Sequence, residues 1–352
     1  MELADVHKKA RNKLENIRGA YVSHFRETFS YQEECYGHNI QLGGAGSGAG
    51  HINNLLALRK IKLKMKVIGS SFEPETKTMF FGNELSMPIM AASVAGISYF
   101  GGEKVISEKD FCRATVLGCK EAGTISFRGD NYTYSTNNLP CQAAIKEADG
   151  FGVKIFKPRS QENLRYFISK YKEINPVAIG IDVDGFGDYE MNRHEKPVYR
   201  KNVEEIKELV ASTKKPFIIK GVMTVEDAEA AVDGGAAAIV VSNHGGRMLD
   251  HTPGTAEVLP DIVKAVKGKI KILVDGGVRN GYDAIKMLAL GAEGVLVGRE
   301  IIKAAVGGGI EGVRLQMNYM HDTLQRAMKL TNCRTLKDIK PNIIYKDENN
   351  DL

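Results

Sequence analysis

Eight short runs of apolar and β-branched residues punctuate the chain between Pro88 and Gly298, and each is followed by a longer segment with helical spacing. The runs are Pro88–Ala92, Gly123–Phe127, Gly152–Phe156, Ala178–Val183, Pro216–Lys220, Ala238–Ser242, Ile270–Asp275 and Gly294–Gly298. Runs that are apolar nearly throughout predict strands covered on both faces, as in a parallel sheet with helices outside it. The stretch Thr224–Ala231 illustrates the helices between them. Thr224 can cap, Glu226 and Asp227 occupy the first turn, and Gly234-Gly235 stops the helix. Eight strand–helix units is the number that closes a (β/α)8 TIM barrel, within the α/β class. The competing arrangement is an open doubly wound sheet. Against it, no GxGxxG follows an early strand, and polar residues gather at the C-terminal ends of many strands.

Residues 1–86 fall outside this rhythm. They read as an N-terminal helix, a flexible-looking glycine-rich stretch (Gly43–Gly50), and the alternating basic segment Arg59–Ile68, expected as a half-exposed strand with its lysines on one face. This N-terminal helical and strand extension is expected to flank or cap the barrel within a single domain spanning 1–352.

Composition narrows the partners. With 352 residues, 43% of them hydrophobic, the chain can bury a large core. Its 48 basic and 43 acidic residues leave a net charge of +5, too diffuse for a nucleic-acid surface. No run approaches the roughly 18 apolar residues of a membrane span, and the first 19 residues form a charged helical pattern without a signal-peptide core, so a cytoplasmic protein is expected. Five cysteines (Cys35, Cys112, Cys119, Cys141 and Cys333) without a CxxC pair point to reduced thiols rather than a disulfide framework or a zinc site, and no metal is expected.

Barrels of this kind carry their chemistry where the strands end. The fifth run ends in Lys220, and the sixth leads into Ser242-Asn243-His244-Gly245-Gly246-Arg247. The seventh leads into Asp275-Gly276-Gly277-Val278-Arg279, and the eighth into Gly298-Arg299. Glycine lets a backbone approach a ligand closely and arginine forks onto phosphate oxygens, so the last two ends read as a phosphate site. The bland alternative is a pair of tight glycine turns with surface arginines. His244 has the side chain of a general base, Arg247 can clamp a carboxylate, and Lys220 adds a cation one strand away. His251, in the same loop, reads as a surface residue.

The stretch Lys220–Arg299 carries the blocks SNHGGR-LD, DGGVR and GR in a fixed order and spacing. It closely resembles the FMN-dependent 2-hydroxy-acid oxidase and dehydrogenase family, which includes glycolate and lactate oxidases. The resemblance extends more weakly back to Asn54 through LSMPIMAAS and EAGTIS. It implies FMN as cofactor, His244 as the base, Arg247 on the substrate carboxylate, Lys220 by the flavin N1–C2=O edge, and Asp184 as the hydrogen-bonding partner of His244. It further implies flavin contacts from Ala92, Ser93, Val94, Ser126, Gly129, Lys154 and Asp182, contacts to the flavin or the base loop from Ser242 and Gly245, and Asp275 orienting either His244 or the ribityl chain of the cofactor. Gly277, Arg279, Gly298 and Arg299 would hold the phosphate.

The substrate half departs from the family pattern. Phe156 stands where a tyrosine is usual on the third strand, Ile40 and Met191 align near a second tyrosine and an arginine, and Ser93-Val94 replaces a Pro-Thr pair. Arg193 is close enough to replace the missing arginine, and Arg128 is a further cation for the pocket. The expected substrate contacts are therefore His244, Arg247, Phe156, Arg193 and Arg128. The resemblance implies oxidation of a small L-2-hydroxy acid, lactate- or glycolate-like, to the 2-oxo acid, with His244 taking the hydroxyl proton and hydride passing to flavin N5. It also implies a homo-oligomer, often a tetramer, and leaves the electron acceptor open. Two alternatives are an FMN enzyme of this fold with a different substrate or a reductase or isomerase reaction, and a non-catalytic flavin-binding barrel.

Overall fold

The computed structural model describes residues 1–15, 44–97, 104–135 and 139–345, so Ile40 and Cys35 lie outside the described residues. The chain opens with helix α1 (Leu3–Glu15) and, after a break, helix α2 (Ala49–Lys60). An antiparallel hairpin follows, β1 (Thr78–Phe80) and β2 (Asn83–Leu85). Its two-residue turn, Phe81-Gly82, has φ of 44° and 80°, the left-handed pair whose twist matches that of the flanking strands.

The eight apolar runs then appear as β3 (Ile89–Val94), β4 (Ser126–Arg128), β5 (Val153–Phe156), β6 (Ala178–Asp182), β7 (Phe217–Val222), β8 (Ala238–Val241), β9 (Lys271–Val274) and β10 (Gly294–Val297). Each is parallel to its neighbours, and β10 pairs with β3 to close the barrel, as the run count predicts. The second run is displaced. Thr124 lies before β4 and donates its hydroxyl to the carbonyl of Ile89 (2.6 Å). Phe80 reaches from the hairpin to Phe127, with ring centroids 5.9 Å apart.

Around the strands stand α3 (Glu108–Glu121), α4 (Pro140–Glu147), α5 (Gln161–Lys170), α6 (Tyr189–Arg193), α7 (Val203–Ala211), α8 (Val225–Asp233), α9 (Thr255–Val266), α10 (Gly281–Ala289) and α11 (Arg299–Thr331). Thr224 caps α8 by accepting from the amide of Asp227 (3.1 Å), as the sequence predicts, and Ser107, Ser160, Asn202 and Asn280 do the same for α3, α5, α7 and α10. The long α11 bends at Gly309, whose φ of 58° and ψ of −140° are not helical. Two residues earlier, a Cβ on Gly307 would meet the carbonyl of Val6 at 2.0 Å, so this glycine is what lets α1 lie directly on α11.

Two expectations for the extension need correction. Arg59–Ile68 is not a strand: α2 runs through Lys60, and beyond it only Leu63 bridges to Ile344. A strand needs a partner along its length to bury a face, and here Met65 (71% exposed) and Ile68 (99%) face solvent. The described part of the glycine-rich stretch is fastened down. Ala45 donates its amide to Gly246 (2.7 Å), and the Asp250 carboxylate accepts from the amides of Ser47 (2.5 Å) and Ala49 (3.1 Å). Among the described residues, no helix is long and apolar enough to cross a membrane.

Candidate active site

The C-terminal ends of β3, β7, β8, β9 and β10 surround a cleft of about 930 Å³, counting the volume open to solvent. β3 contributes Ala92, Ser93 and Val94, and β7 contributes Lys220. The loop after β8 contributes His244, Gly245 and Arg247, the loop after β9 Asp275, Gly277 and Arg279, and β10 leads in Gly298 and Arg299. Twelve residues singled out from the sequence therefore share one cavity.

The loop after β8 is built on left-handed backbone. His244, Gly245 and Gly246 have φ of 58°, 66° and 80° in succession, and the Ser242 hydroxyl accepts the His244 amide (3.1 Å). A histidine in this conformation is strained, and such strain gathers at functional sites. The surroundings hold it there: a Cβ on Gly246 would meet the His51 amide nitrogen at 2.3 Å, so the first turn of α2 presses on the loop. Behind this contact the buried amide of Asn54 donates to the Asn243 side chain (2.8 Å) and accepts from the Thr255 amide (3.0 Å). His51 and Leu55 of α2 consequently line the cleft as well.

Beside the cleft lies a buried charge cluster. His244 Nδ1 is 3.2 Å from Asp184 and 3.3 Å from Asp182. Lys220 Nζ is 3.0 Å from the Ser242 hydroxyl, 3.4 Å from Asp182 and 3.9 Å from Asp275. Lys157 Nζ is 3.2 Å from Asp182 and 3.0 Å from Asp188. Burial alone would raise the pKa of Asp182, but His244, Lys220 and Lys157 outweigh it and hold the carboxyl well below the usual range. Asp184 is raised, by burial and then by the neighbouring Asp182 charge. Lys220 is raised: the charges of Asp182 and Asp275 overcome a burial effect of opposite sign. Asp182, Asp184 and His244 offer ligand atoms within 4.8 Å of one another, a spacing that could hold a metal ion. Here two ammonium groups already face Asp182, and the imidazole is the third partner of the carboxylates.

Lys157 was not signalled by the sequence motifs, and replacing it should be costly. Lys157→Met leaves Asp182 and Asp188 buried with one cation fewer, and about 3 kcal/mol of stability should be lost at neutral pH. Because Asp182 and Asp188 both have lowered pKa values, their stabilising contribution is present above the ordinary carboxylate pKa and disappears as the pH falls through their folded values. In Lys157→Met that acid loss should begin at higher pH. Urea titrations between pH 3 and pH 7, covering the range from about the ordinary carboxylate pKa to neutrality, measure both effects.

Several expected site residues lie elsewhere, and strand parity explains most of them. Asp182 is in register with Lys220, and Gly180 with Ile155, so the inward face of β5 carries Val153 and Ile155 and leads to Lys157. Lys154 and Phe156 point the other way. Phe156 packs on Phe167 and Tyr171 of the α5 region, and Lys154 donates to the Gly129 carbonyl and lies over the Tyr134 ring. Arg128, in register with Lys154, is fully buried against α3, donating to Thr115 (2.8 Å) and stacking on Phe111. It is not a cation of the pocket. Ser126 shares that outward parity. Gly129 abuts β3, where a Cβ would meet the Ser93 carbonyl at 2.5 Å. Arg193 pairs with Glu190 (3.7 Å) and Met191 is fully buried; neither lines the cleft. Ser242, Asp182 and Asp184 stand one layer behind it. His251 is a surface residue beside Asp250, as expected.

The FMN-dependent dehydrogenase profile matches residues 38–199 and 188–346. The chain belongs to the FMN-dependent dehydrogenase family. It is 32% identical to a 2-hydroxyacid oxidase of Dictyostelium discoideum over 322 residues, covering 83% of this chain and 81% of that one. It is 44% identical to glycolate oxidase 1 of Oryza sativa subsp. indica over 325 residues (84% and 87%). A crystal structure of mandelate oxidase superposes with a TM-score of 0.78 at 25% identity, covering 98% of this chain and 97% of that one.

FMN is the cofactor of this family, and the cleft fits it. Among the described residues, Ser93 Oγ and Asp275 Oδ1 are buried at the cleft without a hydrogen-bonding partner, an acceptor and a hydroxyl suited to a polyhydroxy chain or a ring edge. The long α11 begins in the cleft at Arg299 with no side-chain cap on its first amides, an arrangement that favours an anion. The one acid in that first turn, Glu300, is compensated by Lys303 (2.9 Å).

Proposed function

We propose that this protein oxidises a small L-2-hydroxy acid of the lactate or glycolate type to the 2-oxo acid, with His244 as the general base. The observation that carries the reading is the pairing of His244 Nδ1 with Asp184 and Asp182. Carboxylates at Nδ1 fix the proton there, leave Nε2 as the basic atom, and stabilise the imidazolium formed when it takes the substrate hydroxyl proton. Arg247, whose Nε donates to the His244 carbonyl (3.1 Å), is read as the group that grips the substrate carboxylate. Bound FMN supplies the two-electron acceptor. Gly277, Arg279, Gly298 and Arg299 are read as its phosphate site, and Lys220 as the cation beside its ring. The relatives named 2-hydroxyacid oxidase and glycolate oxidase support the reaction class.

The direct test is anaerobic addition of L-lactate and of glycolate to the yellow holoprotein. Loss of the oxidised-flavin absorbance is expected with at least one of them. A flavin that stays oxidised with both would overturn this substrate class. It would favour a different substrate on the same fold, a second reading motivated by the outward turn of Phe156 and the distance of Arg193 from the cleft. Arg247→Lys should raise the substrate KM about tenfold while kcat falls less, because an ammonium replaces a two-pronged guanidinium and one charge-assisted hydrogen bond is lost. Steady-state kinetics at saturating FMN reads this split.

A further inference from the structure

Cys112 and Cys141 lie outside the cleft, and the proposed reaction makes no use of them. Cys112 belongs to α3 and Cys141 is the second residue of α4; their sulfurs are 3.3 Å apart and both side chains are fully buried. The outward parity of β4 and β5 brings two cations to this pair. Arg128 Nη2 is 3.4 Å from Cys112 Sγ, and Lys154 shares the layer through its place over Tyr134. The Tyr134 hydroxyl stands between Cys141 Sγ (3.1 Å) and Glu108 (2.6 Å), and Glu108 also lies 3.7 Å from Cys112 Sγ.

A buried thiol is ordinarily inert, because burial disfavours the thiolate. Cys119 behaves that way, pushed up to about 12 by burial. Cys141 does not. Burial opposes its ionisation, but the Cys112 thiol that donates to it, together with Lys154 and Arg128, brings it below the ordinary thiol range, while Cys112 is pushed up. At 3.3 Å the two sulfurs are close enough to share a proton.

We propose that Cys112 and Cys141 form a peroxide-oxidisable dithiol that closes to a disulfide between α3 and α4. The Cys141 thiolate attacks one oxygen of hydrogen peroxide, the O–O bond breaks, and Cys141 becomes a sulfenic acid while the released hydroxide takes a proton to form water. The Cys112 sulfur then attacks the Cys141 sulfur, the S–O bond breaks, and the departing hydroxide leaves as water with the Cys112 proton. The two thiols lose two electrons and the peroxide gains them. Access comes from the start of α4, an eight-residue helix preceded by Leu139, which offers no capping oxygen. Fraying of that turn exposes Cys141 at far lower cost than global unfolding.

The test is made on the FMN-loaded protein with added hydrogen peroxide, independently of any hydroxy acid. After oxidation, denaturation and alkylation, peptide mass spectrometry should show Cys112 joined to Cys141 and lighter by two hydrogens, with Cys119 and Cys333 alkylated. In Cys112→Ser, dimedone should trap a sulfenic acid at Cys141. In the untreated native protein, maleimide should modify Cys141 about tenfold faster than Cys119. Alkylation of Cys112 and Cys141 after peroxide, equal maleimide rates for Cys141 and Cys119, or sulfenic acid on Cys141 without a crosslink in the unsubstituted protein would each overturn the proposal.

Discussion

His244→Asn should lower turnover by about 10²–10⁴-fold while leaving FMN bound, the loss expected when a positioned general base is removed. Asparagine is the informative replacement. At φ of 58° an alanine would add backbone strain to the loss of the imidazole, whereas asparagine is among the few non-glycine residues that enter the left-handed region readily. It can also preserve the loop around the Arg247 and Gly246 contacts. The measurement is kcat with a stoichiometric flavin spectrum recorded on the same sample. Turnover within a few-fold of the original would remove His244 from the base role, and a colourless variant would show that the loop, rather than the imidazole, had been lost.

Arg299→Ala should weaken FMN binding by about 10–100-fold, which corresponds to a charge-assisted hydrogen bond of roughly 1.5–3 kcal/mol. Arg299 is the first residue of α11, and its Nη2 donates to the Gly245 carbonyl (2.9 Å), so one guanidinium ties the proposed phosphate end of the cleft to the loop bearing His244. The substitution should therefore affect the two ends differently. FMN affinity, followed by quenching of flavin fluorescence on titration, should drop, and excess FMN should restore most of kcat. Unchanged FMN affinity would place the phosphate elsewhere; kcat that stays low at saturating FMN would make the Gly245 contact the larger role.

The barrel and the core of the site were legible because they leave local marks. A strand buried on both faces must be largely apolar, and consecutive left-handed residues must be rich in glycine, as at His244–Gly246 after β8 and at Gly276-Gly277 after β9. The facing of individual side chains was not legible in the same way. In Val153-Lys154-Ile155-Phe156-Lys157 either lysine is a plausible inward cation. Only the pairing of Ile155 with Gly180, and of Asp182 with Lys220, decides for Lys157. The same shift of parity removes Phe156 and Arg128 from the pocket. The contribution of α2 was hidden for another reason: Asn54 and His51 touch loops that lie far along the chain, and nothing in their own neighbourhood marks them. Arg59–Ile68 misled because alternation describes a face without supplying the neighbouring strand that would bury it.

The Asn54–Asn243 contact spans 189 residues of sequence. During synthesis at about 5–20 residues per second, α2 leaves the ribosome roughly 10–40 s before the loop it will brace has been made. The His244 loop, the β9 and β10 ends and the start of α11 all arrive after that interval, and α1 must wait longer still for Gly307. The cleft end of the barrel is therefore among the last parts of the nascent chain to assemble, and the early helices pass that time with their future contact surfaces open to chaperones.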